Sequence, residues 1–291
     1  MEILQLIVSG LANGCIYGLI ALGFALIYKA AEQVNFAQGD LMMFGAFVAL
    51  GLTNDSHLGL PFWVACIGAV TAMAVLGWLL ERSVLRRVFG QSQIAVVILT
   101  IAFGFLLRIA AGLIWGHDPL TLESPIAGVN QHFGGLVLGL DELTVIAVTL
   151  VLTAILFGFF SRTKLGIAMQ ASSQNQLAAY YMGIPVKRIH GLTWALAGAI
   201  AAVAGILFAS KGSIDPNTGL LGIKAFAAAV IGGFGSLPGA LAGGLIVGLI
   251  EPFAARYVAS GYSQIAPYAM LILVLLIRPH GLFAQIHAKK V

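Results

Sequence analysis

Long apolar stretches recur along this chain with only short polar breaks between them, at roughly 5–28, 39–53, 60–80, 93–115, 143–160, 191–210, 221–233, 236–258 and 264–278. A bilayer crossing takes about 20 apolar residues, so most of these stretches are long enough to span. Charged residues make up only 9% of the 291 positions, against about 25% in an ordinary soluble domain. So few charges cannot dress a water-facing surface, and most of the chain must face lipid or other helices. The 36 glycines fit the same picture, because small residues let membrane helices approach closely. The expectation is an all-α polytopic bundle forming one domain over 1–291, with about eight or nine membrane segments. Two stretches, 39–53 and 221–233, are short for a full crossing. Short segments flanked by Gly or Pro mark broken or re-entrant helices beside a transport path.

The loops set an orientation. Lys29 follows the first stretch, Arg82, Arg86 and Arg87 follow the third, Arg162, Lys164, Lys187 and Arg188 lie between the fifth and sixth, and Lys289 and Lys290 end the chain. If every stretch crosses once, all of these fall on one side, which the positive-inside rule makes cytoplasmic. The loop 116–142 falls on the other side, with Asp118, Glu123, Asp141 and Glu142 and no Lys or Arg. The N-terminus is then outside and the C-terminus inside. The net charge of +4 reads as this topological bias and not as nucleic-acid binding. The first stretch lacks a basic leader and reads as a retained span. Loop 116–142, with Pro119, Pro125 and Gly134-Gly135, reads either as an ordered lid or docking loop or as a plain connector.

The cytoplasmic loop 162–190 is more than a connection. Helix-forming residues run from about Ile167 to Met182, Gly183 supplies a stop, and Pro185 follows. Leu177, Ala178 and Tyr181 form an apolar patch at helical spacing. No Lys or Arg lies on the helix itself to meet lipid headgroups. A helix offered in this way suits a groove on a partner protein, with a surface-lying amphipathic helix as the other reading.

The chain resembles the permease subunits of branched-chain amino acid ABC transporters, of the LivH type, over nearly its whole length. The marks are Gly10-Leu-Ala-Asn-Gly-Cys-Ile-Tyr17-Gly-Leu, Val34-Asn-Phe-Ala-Gln-Gly-Asp40, the loop Gly166 to Gly183 with Ile184, and Ile231-Gly-Gly-Phe-Gly-Ser-Leu-Pro-Gly-Ala240. The resemblance implies a permease that pairs with a second permease, two cytoplasmic ATPase subunits and a periplasmic binding protein, in a bacterial inner membrane. It also implies that the loop holds the coupling helix, with Ala171, Asn175, Ala178, Gly183 and Ile184 matching its pattern. The family often has His and Glu where this chain has Gln38 and Asp40. It often has a basic and an acidic residue where this chain has Gln170 and Gln174. These departures bear on the substrate: leucine, isoleucine and valine are the family default, while other members are associated with amides, urea or aromatic compounds.

Several residues are candidates for the substrate path. Asn35 and Gln38 have capping-box spacing, with Asn35 at the N-cap and Gln38 at N3. A helix starting there would offer free amides and a positive dipole end to a carboxylate at membrane depth. The alternative is that both only cap the helix and Asp40 sits at an interface. Asn13 and Tyr17 share one face of the first span, which either lines the path or packs between helices. The turn holding Gly233, Gly235 and Ser236 either lines a cavity or simply reaches an aqueous face, since irregular backbone is not tolerated against lipid. Arg108 and Glu251, near the outer ends of their spans, are expected to snorkel towards water.

Other functions fit less well. A membrane enzyme would need clustered titratable groups, yet the six His residues (57, 117, 132, 190, 280, 287) lie in loops or at segment ends. Neither Cys15 nor Cys66 has metal-ligand or disulfide spacing. An ion-coupled secondary transporter, the alternative function, would carry buried acids at mid-membrane, where this sequence offers almost none. A channel's selectivity signature is not visible. No phosphate loop is present, so ATP and Mg must bind separate ATPase subunits, and this chain holds no cofactor or metal of its own.

Overall fold

The computed structural model describes residues 2–54, 58–88, 92–125, 128–133, 136–258 and 260–283. Gly134-Gly135 and the terminal Lys289 and Lys290 lie outside them. The elements in chain order begin with α1 (Glu2–Ala31), α2 (Gln38–Thr53) and α3 (Phe62–Leu80), which runs through a π-helical turn into α4 (Arg86–Val88). Then come α5 (Gln93–Trp115), strands β1 (Leu120–Thr121), β2 (Asn130–Phe133) and β3 (Leu136–Gly139), and α6 (Leu140–Arg162). The chain continues with α7 (Lys164–Gln174), α8 (Gln176–Tyr181), α9 (Val186–Lys211) and β4 (Ser213–Ile214). A short 3-10 turn (Pro216–Leu220) leads into α10 (Leu221–Gly232), followed by α11 (Leu237–Tyr257) and α12 (Ala266–Ile277). Among the described residues, six helices are long and apolar enough to cross a bilayer. With the shorter apolar α2, α10 and α12 the bundle has the composition expected of a polytopic membrane protein.

Packing follows the small residues. Lipid tails are as apolar as leucine, so helices associate through close van der Waals fit and not through exclusion from water. On α1, Gly10, Gly14 and Gly18 recur every four residues and face Gly244 and Gly248 of the antiparallel α11. A Cβ on Gly14 would sit 2.8 Å from the Leu245 Cα, and one on Gly248 would run into the Cα of Gly14. The same device joins α3 to α9, where Gly77 lies on the Trp194 carbonyl and Gly198 on that of Met73. It also joins α2 to α9 through Gly205 and the Met42 carbonyl. As a result α1, α2 and α9 form a buried centre, and α3, α5 and α6 form a rim carrying exposed Trp63, Ile67, Leu106, Leu113 and Leu150.

Two segments are broken, as their short apolar stretches predict. After α1 the chain turns at Glu32, whose left-handed φ of 53° is unusual for a side chain of that size. It returns into the bundle without helical structure and starts α2 only at Gln38. The other break is the 3-10 turn ahead of α10. The starts of these two half-helices abut: a Cβ on Gly39 would lie 2.6 Å from the Gly222 Cα. The junction is deep in the bundle. The Phe36 N–H donates to Thr100 Oγ1 at 3.2 Å, and Thr100 lies about 10 Å along α5 from its nearer end at 1.5 Å per residue.

One end of the bundle gathers the basic loops. Arg86 Nη2 donates to the Lys187 carbonyl at 3.1 Å, which places the end of α3–α4 beside the start of α9. At the opposite end β1 pairs antiparallel with β4, and Leu122 is buried beside Ile214 in one apolar cluster. Loop 116–142 therefore includes one strand, β1, that ties it to the segment after α9, and a second pair, β2 and β3, that bond to each other. The chain after α12 returns to the basic end, where the Leu282 N–H donates to the Ile231 carbonyl at 2.8 Å.

Candidate functional site

The junction of the two half-helices is dense with polar groups that satisfy one another. Asn35 Oδ1 accepts from the Ala37 N–H at 3.1 Å, and its amide donates to Gln38 Oε1 at 3.2 Å. Gln38 Nε2 donates to the Ala197 carbonyl of α9 at 3.1 Å, with its amide packed over Gly23 of α1. Asn35 thus closes an Asx turn two residues ahead of the helix, and Ala37 occupies the N-cap. The capping box expected from spacing does not form, because the Asn35 side chain is taken up by the turn. Both side chains are fully buried and point inward.

Ions are buried here too. Arg108 donates to Asp40 Oδ1 through Nε at 3.2 Å and Nη2 at 2.8 Å, and the carboxylate is hemmed in by Gly104 and Gly219. Glu251 accepts from Tyr17 OH and from Lys224 Nζ, both at 2.7 Å. This triad joins α1, α10 and α11. Arg108 and Glu251, expected to snorkel towards water, are each instead paired with an opposite charge of a neighbouring helix. Sequence reading missed Lys224 as a buried cation, although a lone Lys within the apolar run of α10 was the visible signal. Asn13 Oδ1 accepts from Lys211 Nζ at 2.8 Å, at the end of the bundle carrying Glu142.

The loop at the basic end is built as two short helices. Thr163 caps α7 by accepting from the Gly166 N–H at 3.0 Å, and Gly166 packs on the backbone of Phe159 and Phe160. Gln170 donates to the Phe160 carbonyl at 2.8 Å, fixing α7 to the end of α6. The single helix expected over 167–182 is divided at Asn175. Its side chain accepts from the Ala178 N–H at 2.9 Å and caps a new helix, α8. An Asn in mid-helix competes for backbone donors, and here it wins and restarts the chain. Gly183 ends α8 at φ 82°, with its N–H on the Tyr180 carbonyl and that of Ile184 on the Ala179 carbonyl. These bonds form a Schellman stop. Ala171 and Ile184 are half-buried, whereas Ala178 and Gly183 are exposed. Around Ala178 the apolar side chains of Leu177, Tyr180, Tyr181 and Met182 all stand in the open, Met182 at 83% exposure.

Beside α7 and α8 lies a cavity of about 780 Å³, lined by Glu32, Gln33, Glu81, Arg86, Asn175 and His190 among others. Glu81 is fully buried and held by Arg86 at 2.7 Å. The turn Gly233–Ser236 reaches this same end of the bundle, next to Lys29, Ser161 and Gln170. Gly233 closes α10 at φ 96°, Gly235 is exposed, and Ser236 caps α11 by accepting from the Gly239 N–H at 3.1 Å. The turn joins two helices at the bundle's end and does not sit at mid-depth.

Comparison with known proteins places this arrangement. A family described as the permease component of branched-chain amino acid transport systems matches residues 6–275. The chain is 33% identical to the high-affinity branched-chain amino acid transport system permease protein BraD of Pseudomonas aeruginosa, over 99% of this chain and 98% of that protein. It is 32% identical to the corresponding LivH protein of Salmonella typhimurium, over 99% and 97%. Among solved structures it is similar in fold to PsaBC from Streptococcus pneumoniae, with a TM-score of 0.53, 17% identity, and coverage of 96% of this chain and 93% of that one.

Proposed function

This chain belongs to the family of permease components of branched-chain amino acid transport systems, and from that membership we propose that it forms half of the path by which an ATP-driven importer carries leucine, isoleucine, valine or a close relative inward. It is a multi-pass membrane permease and not itself an enzyme. A second permease, the same chain or a paralogue, supplies the other half. Two cytoplasmic ATPase subunits supply the energy, and a periplasmic binding protein delivers the solute. The basic end of the bundle faces the cytoplasm, with the N-terminus outside and the C-terminus inside.

The observation that carries this reading is α8. Its cap and its Schellman stop fix its backbone, and Ala179 is buried against the bundle, yet Leu177, Tyr180, Tyr181 and Met182 stand exposed. A rigid, capped helix with an exposed apolar tip fits a cleft on a partner. ATP binding closes the two ATPases, and each α7–α8 unit passes that motion to its bundle. The link is mechanical: α7 is bonded to the end of α6 through Gln170, and the Gln176 amide donates to the Ala30 carbonyl at the end of α1, 3.3 Å away. An ion-coupled mechanism would need a carboxylate free to take up and release its ion. Asp40, Glu81 and Glu251 are each already matched by a cation.

The test is uptake in liposomes holding the whole assembly. Wild type accumulates leucine only with ATP inside. Ala178→Arg, at an exposed position, leaves the bundle folded and abolishes both ATPase association and uptake. Uptake that persists with this variant contradicts the docking role. Uptake driven by an ion gradient without ATPase subunits contradicts the transporter class.

A further inference from the structure

Resting on the importer reading, we propose that an aromatic and aliphatic track formed by Leu220, Ile223, Phe36, Phe226, Phe234 and Tyr28 is this chain's wall of the solute path, in contact with the apolar side chain of the amino acid as it crosses. The ring centroids of Phe36 and Phe226 are 5.2 Å apart, those of Phe226 and Phe234 5.4 Å, and those of Phe234 and Tyr28 4.9 Å. The three contacts make a ladder from the half-helix junction to the basic end of the bundle. Above it Leu220 and Ile223 continue the line along the start of α10, with 47% and 51% of their surfaces exposed.

Position distinguishes this surface from the rest of the apolar exterior. The exposed faces of α3, α5 and α6 are regular helix, and lipid alone satisfies them. Phe36 instead projects from the non-helical run between α1 and α2, and Leu220 ends a 3-10 turn. Irregular backbone at membrane depth is tolerated only against protein or along a water-filled cavity, which sets this face apart from the regular helical surfaces that lipid can cover. The polar groups beneath it, Asn35, Gln38 and the Asp40–Arg108 pair, are bonded to one another and turned inward. The face therefore offers the solute apolar contact and no fixed opposite charge. Such a wall lets a leucine-like side chain slide without trapping the zwitterion, and transport requires binding weak enough to release. The second permease and water then meet the ammonium and carboxylate.

Single cysteines at Ile223 and at Leu220, placed in a background without Cys15 and Cys66, separate the possibilities in the reconstituted assembly. A cationic methanethiosulfonate reagent is the probe, and Leu150→Cys on the lipid-facing side of α6 is the reference. Because reaction needs an ionised thiol in contact with water, Ile223→Cys and Leu220→Cys are expected to react at least about tenfold faster than Leu150→Cys. The reaction is expected to slow when leucine, binding protein and ATP are all present. Rates equal to that of Leu150→Cys place the track against lipid or in a dry interface and overturn the proposal. Fast reaction that turnover does not slow also overturns it, by showing a wet cleft that solute does not enter. Both results leave ATP-driven uptake by the parent assembly intact, and so are distinct from failure of the importer reading.

Discussion

Glu251 binds two partners from different helices, and its energetics turn on what remains when one of them is removed. A buried ion pair is weak evidence of net stability, but deleting one member strands the other in a low-dielectric interior and costs about 3–5 kcal/mol. Lys224→Met is therefore expected to lower the midpoint of unfolding in detergent sharply. Glu251→Leu combined with Lys224→Met should recover most of the loss, since both charges are then gone. A double variant no better than the single would show that the pair does something other than neutralise charge. Tyr17→Phe removes one hydrogen bond to a charged group and should cost less, about 1.5–3 kcal/mol. These pairs were not legible in the sequence for a simple reason. Asp40 and Arg108 are 68 positions apart and Lys224 and Glu251 are 27 apart, and periodicity reports which face a residue lies on, not which residue meets it. The acids and bases could be seen in apolar runs, while their neutralisation could be seen only in three dimensions.

Elements in this bundle are positioned by glycine, and the contacts give a paired expectation. Gly248→Leu puts four carbons where the Gly14 backbone already lies, so α1 and α11 must part and the protein should fail to accumulate in membranes. Gly158→Ala on α6 meets nothing within 4 Å and should accumulate normally, gaining about 1 kcal/mol of helix propensity at most. Equal accumulation of the two variants would remove the close-packing account. Helix spans were readable because apolar length survives any choice of neighbours. The start of α2 and the unity of the loop helix were not, since each depended on where one Asn side chain found its hydrogen bond. Asn35 spends its oxygen on Ala37 and delays the helix, and Asn175 spends its oxygen on Ala178 and divides one. Asn175→Ala should thus cost α8 about 1 kcal/mol of capping. It is expected to lower transport-coupled ATP hydrolysis while leaving basal hydrolysis and assembly in place. A loss of basal hydrolysis as well would mean that Asn175 acts through more than the cap.

For the molecule as a whole, charge and geometry agree on a single polarity. The ends of α4 and α6 and the start of α9 bring Arg82, Arg86, Arg87, Arg162, Lys164, Lys187 and Arg188 to the end that displays α8. The opposite end carries Asp118, Glu123, Asp141 and Glu142 around the β1–β4 ladder. Basic loops are retained on the cytoplasmic side during insertion, and the docking role proposed for α8 needs that helix to lie where ATP is. Under the proposed function both demands, one on assembly and one on energy supply, put the same end inward. Single cysteines at Met182, on the exposed tip of α8, and at Glu123, beyond β1, read this directly in a background without Cys15 and Cys66. An impermeant maleimide should label Glu123→Cys in intact cells, and Met182→Cys only after the membrane is opened. Labelling of Met182→Cys in intact cells would put the α8 tip outside, away from any nucleotide. A reversed orientation would leave the bundle unchanged and deprive α8 of the partner proposed for it.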